Sequence, residues 1–128
     1  MRLLLDTSIL LWSAADLLPQ AAQEYILDES NTLCFSPASI WEVVIKRGLG
    51  RADFDVDPDL LLSDLLKNGY EQIPITSQHT LLTATLPLYH KDPFDRIIIA
   101  QSIAERVYLI TSDNAVAKYP ASIIHIKR

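Results

Sequence analysis

Asp6, Glu42, Asp95 and Asp113 are the residues whose type and placement could do chemistry. Asp6 directly follows a short apolar run, Arg2–Leu5, and Asp113 follows a later one that ends at Thr111-Ser112. Asp95 opens a helical stretch behind Asp92-Pro93, and Glu42 stands among Ile40, Trp41, Val43, Val44 and Ile45. A polar group in such surroundings costs roughly 2–7 kcal/mol if nothing compensates it, and a charge costs more. Two partners are available to Glu42: Lys46 one helical turn on, or a metal ion shared with other carboxylates. Each aspartate also has a plainer use. Asp6 before Thr7-Ser8 can cap a helix, and Asp113-Asn114 can cap a short final one. Asp92 is a natural helix cap, with Asp95 placed three residues later as in a capping box. If the acids converge, their repulsion raises the proton affinity of some of them. A divalent cation removes that conflict, and an all-oxygen donor set favours Mg²⁺ or Mn²⁺ over zinc. Mg²⁺ held this way can activate water and neutralise charge building on a phosphate, the chemistry of phosphodiester hydrolysis.

The other candidate groups are weaker. His79, His90 and His125 show no metal-ligand spacing and read as structural or surface residues. The single cysteine, Cys34, lies between Leu33 and Phe35 and reads as a small core residue; alone it cannot build a disulfide framework or a thiolate zinc site. Three glycines cannot build a glycine-rich phosphate loop. The 128 residues fit one domain, residues 1–128, with 49% apolar and 21% charged residues, as in ordinary globular proteins. The formal charge of −5 argues, at first sight, against a nucleic-acid partner. Arg2 is followed by only three leucines before Asp6, too short for a signal-peptide core. The longest stretch free of Asp, Glu, Lys and Arg, 72–90, holds two prolines and many Thr, Ser and Gln, unlike a membrane span. A cytoplasmic protein with no membrane partner is expected.

The elements that must position these groups follow from the apolar pattern. Short apolar runs at 2–5, 33–35, 73–75, 107–110 and 123–126 lack polar alternation, which suits strands buried on both faces. Pro74 shortens the third. Helices have clear starts at Ser36-Pro37, Asp57-Pro58 and Asp92-Pro93, with another opening at Pro19. The first is predicted to run to about Gly48, the second to stop at Asn68-Gly69, and the third to run to about Ala104. This alternation predicts a three-layer α/β/α sandwich around a mostly parallel sheet of four to five strands. All strands of such a sheet end on one edge, where ligands bind. Asp6, Ser36 (leading to Glu42), Thr111 and Asp113 would meet there. The end at which Asp95 lies is left open.

Four sequence blocks then carry a resemblance: Leu3-Leu4-Leu5-Asp6-Thr7-Ser8, Ser36-Pro37-Ala38-Ser39-Ile40-Trp41-Glu42, His90-Lys91-Asp92-Pro93-Phe94-Asp95-Arg96 and Leu109-Ile110-Thr111-Ser112-Asp113. Together they resemble the signature blocks of PIN-domain ribonucleases, in particular the VapC-type toxins of bacterial toxin–antitoxin pairs, over essentially the whole chain. The resemblance implies that Asp6, Glu42, Asp95 and Asp113 are the catalytic, metal-binding quartet. It places Thr7, Ser8 and Thr111 where a hydroxyl could hold a carboxylate or a water. Asp92 is either a further acid at the rim or only a cap. Arg96 is either a structural partner of the acids or a phosphate contact. The implied reaction is in-line attack of an activated water on an RNA phosphodiester, with Mg²⁺ or Mn²⁺ as cofactor. The implied partners are RNA, a second copy in a homodimer, and an antitoxin that blocks the pocket.

Lys46, Arg47, Arg51 and Lys91 are candidate RNA-backbone contacts, although Lys46 and Arg47 equally suit a solvated helix end. Trp12 and Trp41 are either core residues or part of a self-association face. The acids Asp53, Asp55, Asp57, Asp59 and Asp64 read as a solvated loop and helix start. Two alternatives stand beside the nuclease. A phosphotransfer enzyme with an acidic pocket fits poorly, because position 8 is serine and the 73–75 run ends in Thr76-Ser77. A non-catalytic interaction domain on the same fold is disfavoured by the intact acids.

Overall fold

The computed structural model describes residues 1–50 and 55–127. Strand β1 (Arg2–Leu5) is central in a five-stranded sheet whose order is β3-β2-β1-β4-β5, with β2 Thr32–Phe35, β3 Glu71–Gln72, β4 Tyr108–Thr111 and β5 Ile123–His125. Every pairing is parallel. The helices are α1 (Thr7–Ala14), α2 (Gln20–Ile26), α3 (Pro37–Gly48), α4 (Pro58–Lys67), α5 (Ser77–Leu82) and α6 (Pro93–Glu105). The expected α/β/α sandwich is present, at the upper limit of the expected strand number.

Side-chain alternation along β1 divides the core in two. Leu4 packs with Cys34, Leu109 and the α6 residues Ile98 and Ile99. Leu3 and Leu5 face the other way, with Phe35, Ile110, Ile9 and Leu10 of α1, and Leu61 and Leu65 of α4. Leu3, Leu4 and Leu5 are all fully buried. Each such side chain contributes roughly 1.5–3 kcal/mol, so an uninterrupted apolar strand is stable only when covered on both faces. Among the described residues no helix is long and apolar enough to cross a membrane.

The expected cap residues hold. Ser36, Asp57 and Asp92 each accept backbone N–H groups at the start of their helices, and Gly69 follows α4 with a positive φ of 81°. The third strand differs from its expected span of 73–75 and is Glu71–Gln72. Ile73 still donates its N–H to the Phe35 carbonyl at 2.9 Å, but the residue beyond β2 placed to donate to the Ile73 carbonyl in turn is Pro37, which has no N–H to continue the ladder. The Gln101 side chain takes over there, donating to the Ile73 carbonyl at 2.9 Å.

Arg96 does not pair with the acids. Its guanidinium donates to the carbonyls of Thr83 (2.8 Å), Leu86 (3.3 Å), Pro87 (2.9 Å) and His90 (3.3 Å), and to the Tyr119 hydroxyl (3.2 Å). Segment 83–90 thus hangs from α6 by one planar fork. An ammonium cannot reproduce that geometry. Arg96→Lys should cost about 2–4 kcal/mol through the unmet carbonyls, measured as a lower urea midpoint at unchanged m. A loss below about 0.5 kcal/mol, within the range of an ordinary surface change, would show that the fork does not hold the segment.

Candidate active site at the carboxyl edge of the sheet

The strand order reverses between β1 and β4, and in open parallel sheets a crevice opens at such a switch point. Asp6, Glu42, Asp92, Asp95 and Asp113 line a cleft of about 400 Å³ there, together with Thr7, Ser8, Lys46, His90 and Ser112. Asp95, whose end of the sheet the sequence leaves open, is on this side because α6 starts at the carboxyl edge.

Asp6 is 4% exposed and continues the sheet, its N–H bonded to the Ile110 carbonyl at 3.0 Å. One carboxylate oxygen accepts the Thr7 N–H at 2.8 Å and the other the Thr111 hydroxyl at 2.6 Å. The Thr111 oxygen in turn accepts the Asp113 N–H at 3.1 Å, so one hydroxyl ties two acids together. Asp6 therefore caps α1 and faces the cleft at once. Asp113 likewise uses one oxygen to accept the N–H groups of Ala115 (2.7 Å) and Val116 (3.2 Å), and Asp92 accepts those of Phe94 (2.8 Å) and Asp95 (3.4 Å). Capping and lining the cleft are not alternatives for these three residues.

Glu42 is 6% exposed. Its Oε2 is 2.7 Å from Lys46 Nζ, while Oε1 is buried without a hydrogen-bond partner. Lys46 thus pairs with the acid, as one of its sequence readings proposed. Arg47 is turned to Asp55 (3.9 Å) and Asp57 (3.5 Å) at the far helix end. Lys91 is exposed, and Arg51 and Asp53 lie outside the described residues. The Thr7 hydroxyl is bonded to Ser39 at 2.8 Å, and the Ser8 hydroxyl is 3.4 Å from that of Ser112. Trp12 packs against the core, whereas Trp41 is 61% exposed and meets Phe94 edge-on with ring centroids 5.1 Å apart.

His90 is a correction. Expected as structural or surface, it lines the cleft with Nε2 3.0 Å from Asp95 Oδ2 and 3.2 Å from Asp113 Oδ2. Metal-ligand spacing was the wrong signal to seek. The usable one was local: a histidine two residues ahead of the cap Asp92 can accept that residue's N–H, and it does at 3.1 Å. His79 is structural, sharing a capping box with Thr76 at the start of α5.

Electrostatics record the crowding. Burial pushes the Asp95 carboxyl from its ordinary 3.8 to about 8, and the charges of Asp6, Asp92, Glu42 and Asp113 add to the shift. Burial also raises Asp6; the bonds from Thr111 and Thr7 hold it back, and Asp113 and Glu42 push it further up.

Fold and cleft together define the class: a parallel α/β/α sandwich with buried acids at its switch point. The chain belongs to the PIN domain family, whose description it matches over residues 3–121. Among solved structures it is similar to VapBC2 from Rickettsia felis bound to a DNA fragment from its promoter (TM-score 0.72, 18% identity, 99% of this chain and 100% of that chain covered). It is also similar to VapBC-5 of Mycobacterium tuberculosis, from the VapBC family of toxin–antitoxin systems (TM-score 0.63, 17% identity, 99% and 98% covered). A third is the PIN domain endonuclease Utp24 (TM-score 0.58, 15% identity, 99% and 86% covered). At these identities the likeness is one of fold. No curated protein matches the chain.

The raised Asp95 carboxyl has a thermodynamic consequence. Between its ordinary 3.8 and about 8, the folded chain keeps a proton that the unfolded chain has released. Stability must therefore fall as pH rises through that window. In metal-free buffer at pH 8, Asp95→Asn should raise the melting temperature by about 5 °C, with the gain vanishing near pH 4. A gain that is the same at both pH values would contradict the shift.

Proposed function

We propose that the protein is a divalent-cation-dependent endoribonuclease, the toxin of a toxin–antitoxin pair. PIN domains are in general nucleases, and two of the similar structures are toxin–antitoxin complexes. The convergence of Asp6, Glu42, Asp95 and Asp113 on one cleft carries the conclusion.

These residues fit a cation. Glu42 Oε1 is a buried carboxylate oxygen without a partner, a costly state for an anion and one that a cation relieves. The acids offer only oxygen, the donor set of Mg²⁺ or Mn²⁺. Asp6, Glu42, Asp95 and Asp113 would hold the ion. When bound it would supply an activated water and offset charge developing on the phosphodiester. The chain does the rest. Thr111 and the Thr7 N–H fix the Asp6 carboxylate in place. Asp95 must release its proton before it can serve as a ligand. Lys46, after leaving Glu42, would supply positive charge in the cleft for the RNA backbone, and the exposed Lys91, between His90 and Asp92 in the chain, would add to it. The antitoxin would cover the same cleft with a basic side chain, and the apolar groove around Trp41, Phe94 and Ile75 would join two copies.

Cleavage of total RNA in Mg²⁺ or Mn²⁺ tests the proposal. EDTA should stop it, and Asp6→Asn should lower it beyond the roughly 10- to 100-fold typical of outer-sphere changes at metal sites. Undiminished cleavage by Asp6→Asn would remove the cleft from the reaction. Millimolar Mn²⁺ should also raise the melting temperature of the unaltered protein, because an ion bound only to the folded chain must stabilise it.

A further inference from the structure

His90 lies among the acids but plays no part in the reaction proposed above. One donor atom each from His90, Asp95 and Asp113 lie within 4.8 Å of one another, a grouping that would suit a three-ligand metal site. The hydrogen-bond pattern around the ring points elsewhere. His90 Nδ1 is 3.1 Å from the Asp92 backbone nitrogen, which carries a hydrogen and has no lone pair to offer. Nδ1 must therefore present its own lone pair, and the ring hydrogen sits on Nε2. Nε2 then donates toward Asp95 Oδ2 at 3.0 Å and Asp113 Oδ2 at 3.2 Å. Ligation through Nε2 would move the hydrogen to Nδ1, straight against the Asp92 N–H.

The ring also has little freedom to turn away. The His90 N–H is bonded to the Tyr119 hydroxyl at 2.9 Å, and its carbonyl accepts from Arg96 and from Tyr119, each at 3.3 Å. The backbone is held on both sides, the ring by Nδ1, and only Nε2–H faces the cleft.

We propose that His90 is a positioning residue, an Nε2–H donor that holds the Asp95 and Asp113 carboxylates side by side and does not itself bind the ion. This rests on the cation-dependent reading of the cleft. Donors that orient metal-binding side chains commonly change metal affinity by about 10- to 100-fold when removed.

Calorimetric titration with Mn²⁺ alone, on the unaltered chain, His90→Ala and His90→Gln, tests the role. A glutamine amide can place an N–H donor close to the position of Nε2. His90→Ala should weaken Mn²⁺ binding by about 10- to 100-fold, and His90→Gln should recover most of it. Equal losses in both variants would make the imidazole a ligand and overturn the proposal, as would equal affinity in all three proteins. Absence of Mn²⁺ binding by the unaltered chain would overturn the cation reading itself. Two measurements need no variant. Nitrogen-15 spectra of the metal-free protein should place the His90 hydrogen on Nε2, and pulsed electron paramagnetic resonance of bound Mn²⁺ should show no directly coordinated imidazole. A hydrogen on Nδ1, or a directly bound nitrogen, would overturn the proposal.

Discussion

Carboxylates are packed at the carboxyl edge of a parallel sheet, Asp6 and Glu42 buried and Asp95 and Asp113 half-buried, and the local structure is organised around their repulsion. Two unit charges separated by 4.8 Å, the outer bound on the Asp95–Asp113 spacing, repel by about 3 kcal/mol at an effective dielectric constant of about 20. That is a large fraction of the 5–15 kcal/mol that typically separates folded from unfolded chains. Several neighbours of the cluster are donors or cations that offset it. Thr111 and the Thr7 N–H serve Asp6, Lys46 serves Glu42, and His90 serves Asp95 and Asp113. On Asp95, burial before all else, and then the charges of its neighbours, keeps a proton in place.

The fold makes this crowding unavoidable. β1 and β4 are neighbours whose chains leave in opposite directions, so the residues just beyond them, Asp6 and Asp113, face one crevice. α3 and α6 begin on the same edge and add Glu42 and Asp95. Three of the acids also satisfy the first N–H groups of a helix or turn. A single aspartate uses one oxygen to start a helix and leaves the other toward the cleft. The distinction between structural cap and site residue, natural when reading a sequence, dissolves once the geometry is known.

Much of this was legible in the chain. The apolar runs at 2–5 and 107–110 could only be doubly covered strands, and serine or aspartate before proline marked three helix starts. Local chemistry decides both. The edge strand was misplaced by two residues, because apolar content suggested 73–75 whereas the ladder ends where β2 gives way to Pro37, which has no N–H for the Ile73 carbonyl. Arg96 was read as a partner of the acids or a phosphate contact, yet the carbonyls of a segment without Asp, Glu, Lys or Arg claimed its fork. The position of His90 depends on a three-residue turn, to which metal-ligand spacing is blind. The net charge of −5 misled for a related reason: it sums over the chain, while the chemistry depends on where four of the acids meet.

The most direct test concerns protons. A cation that binds the acids must displace the hydrogen held by Asp95, whose carboxyl titrates at about 8. Calorimetric Mn²⁺ titrations at pH 7, in buffers of different ionisation enthalpy, count the protons released per bound ion. Release of about one proton per ion is predicted. Binding with no proton release would mean that the acids carry no stored repulsion for the cation to relieve, and would contradict the central claim.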